Sequence, residues 1–180
     1  PYYAETYLPH ADFDWTHSNS VFYDSNSSDI YVSIRNLSRI TSIDYESGDV
    51  NWNLGESDFM QNPTFENEIN FSQQHSAQLT PEGNLFFFDN ARYQDPELSR
   101  CIEVEFLMNM DSQMEPYVVW EHVLPDSMFT GSRGECDRLE NGNTIITAGR
   151  TGNVIEVNQD NELVWHIKVY DNAGNDVSIY

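Results

Sequence analysis

Short runs of Val, Ile, Phe and Tyr recur along the chain, and clusters of Asn, Ser, Gly and Asp separate them. Runs of this length, rich in β-branched and aromatic residues and bounded by turn-forming residues, are typical of β-strands. No segment shows the spacing of an amphipathic helix. Strands are predicted at 20–24, 29–35, 39–45, 50–54, 76–80, 84–90, 100–107, 117–124, 136–139, 144–148, 154–158 and 163–169. Strands this short and this closely spaced favour an all-β fold of four-stranded antiparallel units.

Three such units follow one another along the chain. His17 and His75 stand at the start of the first two units and Gly134 at the start of the third, so the starts are 58 and 59 residues apart. Repetition of four strands at a fixed period is typical of a β-propeller. We expect the whole chain to be a single partial domain, with a loop and then three blades at 1–12, 13–55, 73–125 and 132–170. Propellers typically have about four to eight blades, so the remaining blades are expected from the same parent chain or from another chain.

The long polar connection at 55–72 is expected to have a function or to pack across a face of the domain. A tryptophan ends each of the three units, and all three are expected to pack between blades: Trp52, Trp120 and Trp165.

The charge balance narrows the classes of partner. The 180 residues contain 30 Asp and Glu but only 8 Lys and Arg, which gives a formal charge of −22. A nucleic-acid surface is excluded, because contact with phosphates needs clustered basic residues. No apolar run reaches the length of a membrane span. The absence of an initiator Met and of a signal peptide predicts a mature chain or a piece of a longer one.

The acidic composition favours a secreted or periplasmic protein. Three glycosylation triplets, at Asn26, Asn36 and Asn70, are compatible with that location. Cys101 and Cys136 are too few for a disulfide scaffold or a zinc site. Buried or unpaired thiols are the favoured interpretation, and a disulfide between neighbouring blades is the alternative.

Candidate chemistry lies at the ends of the innermost strands. In a propeller, the first strand of each blade lines the central channel, so His17 and His75 are expected to face the same region, together with Asn19. Aligning the second strands places Arg35 opposite Asn90, at the end that returns to the histidines. An arginine fork suits a sulfate or phosphate group. A neutral imidazole is a competent nucleophile near neutral pH, and a second one can protonate a leaving oxygen.

Other interpretations of these residues remain open. A lone histidine before a strand is more often a loop or capping residue than a catalyst, and Arg35 has 30 acidic residues with which to pair. Asp14 with two histidines is a weak zinc candidate, since no HxxxH or CxxC spacing accompanies it; we therefore expect no metal. His10, His122 and His166 are expected to be surface residues.

The segments DWTHSNSVFYDSNSSDIYVSIRN, QQHSAQLTPEGNLFFFDNA and RLENGNTIITAGRTGN together resemble the bacterial-type aryl-sulfate sulfotransferase (arylsulfotransferase) family, over about 12–169. The resemblance implies a six-bladed propeller that moves a sulfuryl group from an aryl sulfate ester to a phenol. It implies a sulfohistidine intermediate and neither a nucleotide donor nor any other cofactor.

By position, His75 resembles the histidine that becomes sulfated. His17 and Asn19 resemble the H-x-N pair that binds the sulfuryl group, and Arg35 resembles the arginine that neutralises its oxygens. We assign Asn90 to substrate binding. The family has a further catalytic histidine in an earlier blade, and no residue of this chain corresponds to it. Two other classes remain: a non-catalytic extracellular propeller that binds a partner, and, more distantly, a quinone-dependent dehydrogenase.

Overall fold

The computed structural model describes residues 14, 16–55, 65–66 and 69–179. Three sheets follow one another in chain order, each with four antiparallel strands whose neighbours in the sheet are consecutive in the sequence. A short fifth strand, β5 (Phe65–Glu66), extends the edge of the first sheet. The first sheet contains β1 (Ser18–Asp24), β2 (Asp29–Ile34), β3 (Arg39–Asp44) and β4 (Val50–Gly55). The second contains β6 (His75–Leu79), β7 (Leu85–Asp89), β8 (Arg100–Met108) and β9 (Met114–Val123). The third contains β10 (Glu135–Arg138), β11 (Thr144–Ala148), β12 (Asn153–Val157) and β13 (Leu163–Lys168).

The polar turns predicted between strands form as hairpins. Between β6 and β7, the Thr80 N–H donates to the Asn84 carbonyl at 2.8 Å, and the Gly83 N–H donates to the Thr80 carbonyl at 2.9 Å. Gly83 has a φ of +90°, a conformation that glycine adopts without the steric cost of a Cβ. The turn chemistry therefore fixes the antiparallel pairing.

Two apolar clusters join the three sheets. The cluster between the first and second sheets includes Ile40, Trp52, Leu54, Leu85, Phe87 and Ile102. The cluster between the second and third sheets includes Phe86, Phe88, Leu124, Ile146, Ile155 and Val157. Successive residues of β7 therefore face opposite clusters, as the pleat of a strand requires. Full burial of side chains of this size contributes about 1.5–3 kcal/mol each.

The predicted all-β class and the three four-stranded sheets are confirmed, and the number of blades in a closed ring stays a prediction. The differences in detail are local. Arg35, predicted as the end of a strand, begins a short 3-10 helix at Arg35–Leu37; a second such helix spans Asp126–Met128. Within the described residues, no helix is long and apolar enough to cross a membrane.

The connection predicted at 55–72 packs across a face of the domain in its described part. A two-residue strand, β5 (Phe65–Glu66), pairs parallel to β4. Phe65, Ile69 and Phe71 are buried in the first cluster. The two described aromatic residues of this polar stretch, Phe65 and Phe71, are therefore core residues.

The favoured interpretation of the cysteines was wrong. Cys101 of β8 and Cys136 of β10 form a disulfide across a separation of 35 residues, and both are fully buried. Sequence spacing alone does not reveal which faces of two neighbouring sheets meet, and this contact is made between sheets.

The three tryptophans differ in burial, and so do the three asparagines of the glycosylation triplets. Trp52 is buried in the first cluster and Trp120 packs against the second. Trp165 is 46% exposed, on the face of the third sheet that points away from the second, so its packing between blades stays a prediction. Asn36 is fully buried, so its glycosylation triplet is inaccessible, whereas Asn26 and Asn70 are exposed.

The prediction that the remaining histidines lie at the surface is confirmed in part. His166 is exposed, but His122 is half-buried and stacks on Trp120 with ring centroids 6.3 Å apart. His10 lies outside the described residues.

Candidate active site

A cleft of about 660 Å³ opens at the end of the sheets where the first strands β1 and β6 begin. These two strands contact each other, and β6 also contacts β10. The cleft is lined by His17, Asn19, Arg35, His75, Arg92, Ser132 and Arg133. Four of the five residues that the sequence assigns to the site therefore meet in one cleft, and Asn90 does not line it.

An irregularity in each first strand turns the site residues toward the cleft. The register of β1 shifts between Ser18 and Ser20, and that of β6 shifts between His75 and Gln78. His17 has a φ of +49° and Ser76 one of +53°. Such bulges bend a strand and redirect its side chains, so the same local distortion follows each histidine.

The described hydrogen bonds fix the tautomer of His75. Its Nε2 accepts a hydrogen bond from the backbone N–H of Arg133 at 3.2 Å. Because a backbone N–H only donates, Nε2 is unprotonated and Nδ1 carries the proton. Nδ1–H lies 2.6 Å from Asn90 Oδ1 and 3.1 Å from the Gln73 carbonyl oxygen. A lone pair at Nε2 and a proton at Nδ1 are the arrangement that a nucleophilic imidazole needs.

Asn90 holds both the ring and the loop opposite it. Its Nδ2 donates to the carbonyl oxygens of Thr130 at 2.5 Å and of Arg133 at 2.6 Å. These acceptors orient the amide so that Oδ1 faces His75. Asn90 is fully buried, so its contacts are those of a positioning residue. Its assignment to substrate binding stays a prediction.

Burial keeps His75 neutral. The residue is only 4% exposed, and this desolvation is the main cause that lowers its pKa from 6.5 to about 4. The hydrogen bond to Asn90 opposes the shift, whereas the charge of Arg35 adds to it. The imidazole is therefore uncharged at neutral pH.

Arg35 lies deep in the cleft and is 6% exposed. Its Nη1 donates to Asn36 Oδ1 at 2.9 Å, and its Nη2 lies 3.4 Å from the Gly131 carbonyl oxygen. The 3-10 helix that begins at Arg35 directs its guanidinium toward the loop that precedes the third sheet. A buried guanidinium beside a neutral imidazole is suited to bind an anionic group.

His17 and Asn19 complete the side of the cleft formed by the first sheet. His17 is exposed, and its Nδ1 contacts the carboxylate of Asp14. Asn19 Nδ2 donates to the Gln74 carbonyl oxygen at 2.7 Å, which ties β1 to the segment before His75. Asn19 Oδ1 is buried and accepts no hydrogen bond from the described residues.

Gly134 occupies in the third unit the position that the histidines occupy in the first two. It has a φ of +124°, and a Cβ at this position would lie 2.5 Å from the ring of Phe88. No side chain fits there without movement of that buried ring. The third unit therefore contributes backbone and neighbouring side chains to the cleft in place of an imidazole.

The sequence analysis missed Arg92, Ser132 and Arg133. They lie in the segments that follow β7 and precede β10, where the backbone adopts positive φ at Ala91 and Arg133. The available signal was the scarcity of arginine: the chain has seven, and three of them line this cleft.

The zinc alternative gains no support from the described side chains. Among them, no group of three or more His, Cys, Asp or Glu residues is arranged to hold a metal ion.

Consecutive four-stranded sheets and a basic cleft at one end of them define a propeller-like protein. The chain belongs to the arylsulfotransferase (ASST) family, whose model matches residues 3–180. The family predicted from the H-x-N, Q-H and N-G-N-T segments is therefore confirmed. No curated protein matches the sequence.

Solved structures support the fold alone. A protein of unknown function from Bacteroides caccae is 16% identical with a TM-score of 0.53, and the match covers 91% of this chain and 52% of that one. Virginiamycin B lyase from Staphylococcus aureus is 13% identical with a TM-score of 0.50, over 93% of this chain and 46% of the lyase. Hydrazine synthase from Kuenenia stuttgartiensis is 11% identical with a TM-score of 0.52, over 94% of this chain and 39% of the synthase. The chain spans about half the length of such propeller-like relatives.

Proposed function

We propose that this chain carries the sulfuryl-transfer site of an arylsulfotransferase, and that His75 accepts the sulfuryl group from an aryl sulfate and passes it to a phenol. The observation that carries the proposal is the fixed tautomer of His75, with Nδ1–H held by Asn90 and Nε2 at a cleft that also contains Arg35. Family membership supports aryl sulfotransferase chemistry with small-molecule substrates.

In the first step, the Nε2 lone pair attacks sulfur in line with the departing aryl oxygen. The N–S bond forms, the S–O bond to the aryl group breaks, and the aryl oxygen leaves with the bonding pair. The imidazole becomes positively charged, and its Nδ1–H then donates to Asn90 Oδ1 and the Gln73 carbonyl as a stronger, charge-assisted bond. Arg35 and the second Nδ2 N–H of Asn19, whose first N–H donates to the Gln74 carbonyl, stabilise the sulfuryl oxygens.

In the second step, a phenol attacks the same sulfur and the N–S bond breaks, which returns the electron pair to Nε2. His17 handles the proton: it protonates the departing aryl oxygen in the first step and takes the proton of the phenol in the second. The contact with Asp14 orients the His17 ring through Nδ1, which leaves Nε2 as the atom that exchanges protons. A covalent intermediate divides one difficult transfer into two easier ones.

The amide of Arg133 must leave Nε2 before the attack, because one lone pair cannot both accept this hydrogen bond and bond to sulfur. Glycines flank the two residues of the loop at this point, Gly131 and Gly134. A small rotation of the loop would free Nε2 and direct the same N–H at a sulfuryl oxygen. When the anion binds, a sulfuryl oxygen would thus replace His75 Nε2 as the acceptor of the Arg133 N–H.

We also propose that further blades complete a six-bladed ring and that the protein is secreted or periplasmic. The face of the third sheet that points away from the second exposes Trp165 and Ile167, at 46% and 45%, and a following blade would cover it. A buried disulfide is typical of oxidising compartments.

A non-catalytic binding module is the second candidate. The observation that favours it is the hydrogen bond from Arg133 to Nε2, which satisfies the imidazole without a substrate. In this case the cleft would bind an anion and transfer nothing.

The test uses the intact polypeptide that contains this sequence, with 4-nitrophenyl sulfate as donor and a phenol as acceptor. We expect acceptor-dependent release of nitrophenolate, which His75→Ala abolishes and the matched variant His166→Ala leaves unchanged. With donor alone, mass spectrometry should find one sulfuryl group on the peptide that contains His75. Anion binding without release or sulfation by the folded protein would establish the binding module instead.

A further inference from the structure

The charge of the cleft is opposite to that of the protein. Three guanidinium groups line it, those of Arg35, Arg92 and Arg133, and none of the described lining residues is acidic. The chain as a whole has 30 acidic residues. The carboxylate of Asp14 contacts His17 and is not itself part of the lining. This concentration of positive charge exceeds what a single sulfate ester, with one negative charge, needs.

The three arginines lie at different depths. Arg35 is 6% exposed, whereas Arg92 is half-buried and Arg133 is exposed. Only Arg35 is deep enough to share the buried environment of His75. Arg92 and Arg133 therefore form a rim around the entrance, beyond the position of the transferred group.

Contacts hold the two rim arginines in place. The Arg92 guanidinium carbon lies 4.8 Å from the centre of the Tyr93 ring, a cation–π contact. Its Cδ lies beside Gly131, at 3.3 Å from the position of a Cβ there. Arg133 Nη1 donates to Ser178 Oγ at 2.5 Å. Side chains fixed in this way lose less conformational entropy when they bind a ligand.

We propose that Arg92 and Arg133, with the hydroxyl of Ser132, form a second anion subsite, and that the substrates are aryl sulfates with an additional anionic group on the ring. The inference rests on the proposed function and names its substrate class. The sulfuryl group binds at Arg35 and His75, the ring crosses the cleft, and a carboxylate or second sulfate binds at the rim. Guanidinium groups bind both of these anions through paired N–H donors.

The size of the cleft fits this class. A volume of about 660 Å³ lies within the range of about 300–1,000 Å³ that is typical of small-molecule sites. The cleft therefore has room for an aromatic ring between two anionic groups. A positive cleft on an otherwise negative protein also favours the approach of a doubly charged ligand over a singly charged one.

The test measures binding separately from turnover by means of aryl sulfonates, whose C–S bond cannot transfer a sulfuryl group to histidine. Benzenesulfonate is the singly charged probe, and 3- and 4-sulfobenzoate are the doubly charged probes. Calorimetry at constant ionic strength gives the Kd of each for the intact polypeptide and for Arg92→Gln and Arg133→Gln. Arg150→Gln, which removes an exposed arginine that does not line the cleft, is the matched control.

We expect the wild type to bind at least one sulfobenzoate about tenfold more tightly than benzenesulfonate, which corresponds to about 1.4 kcal/mol. The preference should disappear in Arg92→Gln or Arg133→Gln and persist in Arg150→Gln. The inference is overturned if the wild type shows no preference, or if the preference survives in the double variant Arg92→Gln/Arg133→Gln. The proposed function has its own outcome: a protein that prefers the doubly charged probes but releases no nitrophenolate is an anion-binding module with this subsite.

Discussion

The backbone N–H of Arg133 donates to Nε2 of His75 at 3.2 Å, across 58 residues of sequence and between two sheets. The only nitrogen of this ring that can act as a nucleophile is therefore held by the loop that also carries two residues of the cleft wall. Asn90 bonds to both partners, through Oδ1 to His75 and through Nδ2 to the Arg133 carbonyl. The position of the loop and the tautomer of the ring are coupled through one amide side chain.

The low pKa of His75 makes the stability of the protein depend on pH. Above about pH 6.5 the ring is neutral in both the folded and the unfolded chain, so its burial carries no cost of protonation. As the pH falls from about 6.5 to the folded pKa of about 4, the unfolded chain binds a proton that the folded chain excludes. The free energy of unfolding should fall over this interval by about 3 kcal/mol.

Urea unfolding of the wild type and of His75→Gln at about pH 7.5 and about pH 4.5 isolates this contribution from that of the carboxylates. The wild type should lose more stability than His75→Gln between the two pH values. His166→Gln should behave as the wild type. Equal losses in the wild type and in His75→Gln would contradict the burial of a neutral imidazole.

Asn90→Asp should raise the pKa of His75. A carboxylate beside Nδ1–H favours the protonated ring, and a shift of about one unit or more is expected at this distance. Its second oxygen replaces the Nδ2 donor opposite the carbonyl oxygens of Thr130 and Arg133, so the variant should also lose stability and is titrated under conditions in which it stays folded. NMR titration of the ring gives the pKa directly. The acid limb of the pH–rate profile should move upward with it, because a protonated Nε2 cannot attack sulfur.

The matched control is Asn153→Asp. Asn153 Oδ1 lies 2.9 Å from His166 Nε2 and its Nδ2 donates to Thr151, so it pairs with a histidine as Asn90 does but in the third sheet. This substitution should leave the titration of His75 unchanged. An equal shift in both variants would reflect a general change of charge and would argue against the specific contact.

Gly134→Ala tests why the third unit lacks a histidine. The new methyl group would lie 2.5 Å from the Phe88 ring, at a backbone φ of +124°. Gly83→Ala, at a φ of +90° with no atom within 4 Å of the new Cβ, measures the backbone cost alone, which is about 1–3 kcal/mol. Gly134→Ala should destabilise by about 1–3 kcal/mol more, the cost of overpacking. Equal losses in thermal unfolding would show that the Phe88 ring moves freely.

The sequence was sufficient to predict the sheets, because the short apolar runs and the turn residues that bound them act locally. It also predicted that His17 and His75 share one cleft, since equivalent positions of repeated units meet around a common axis. The same logic placed Arg35 correctly at the cleft, although its conformation is that of a 3-10 helix.

The remaining features depend on how separate segments meet. Arg92 and Arg133 reach the cleft from backbone turns in which Ala91 and Arg133 have positive φ. Neither of these positions is a glycine, so no residue in the sequence indicates the turns. The pairing of Cys101 with Cys136 requires knowledge of which faces of the second and third sheets are in contact. Asn90 appeared equivalent to Arg35 by alignment, yet its amide bonds to His75 and to the loop before the third sheet and does not line the cleft.

Removal of the disulfide between the second and third sheets should lower the stability of the protein. Cross-linking across 35 residues restricts the unfolded chain by about 4 kcal/mol in the chain-entropy treatment. The double variant Cys101→Ser/Cys136→Ser should therefore unfold at a lower urea concentration than the wild type. The hydroxyl groups of the two introduced serines would be buried, which lowers the stability further. The variant Cys101→Ala/Cys136→Ala has no hydroxyl groups and therefore separates this contribution from that of the cross-link. If the wild type treated with reductant unfolds at the same urea concentration as the alanine variant, the lost cross-link is the cause of the lower stability.

Arg35→Lys should affect the chemical step more than substrate binding. Lysine keeps the positive charge but cannot reproduce the planar fork that reaches both Asn36 Oδ1 and the Gly131 carbonyl. The charge that attracts the donor remains, so KM should change little. The stabilisation of the sulfuryl oxygens in the transition state depends on geometry, and its loss typically costs about 100-fold or more in kcat. Steady-state kinetics with 4-nitrophenyl sulfate separates the two effects, and Arg150→Lys is the control. An increase in KM with kcat unchanged would assign Arg35 to ground-state binding alone and would remove it from the catalytic step.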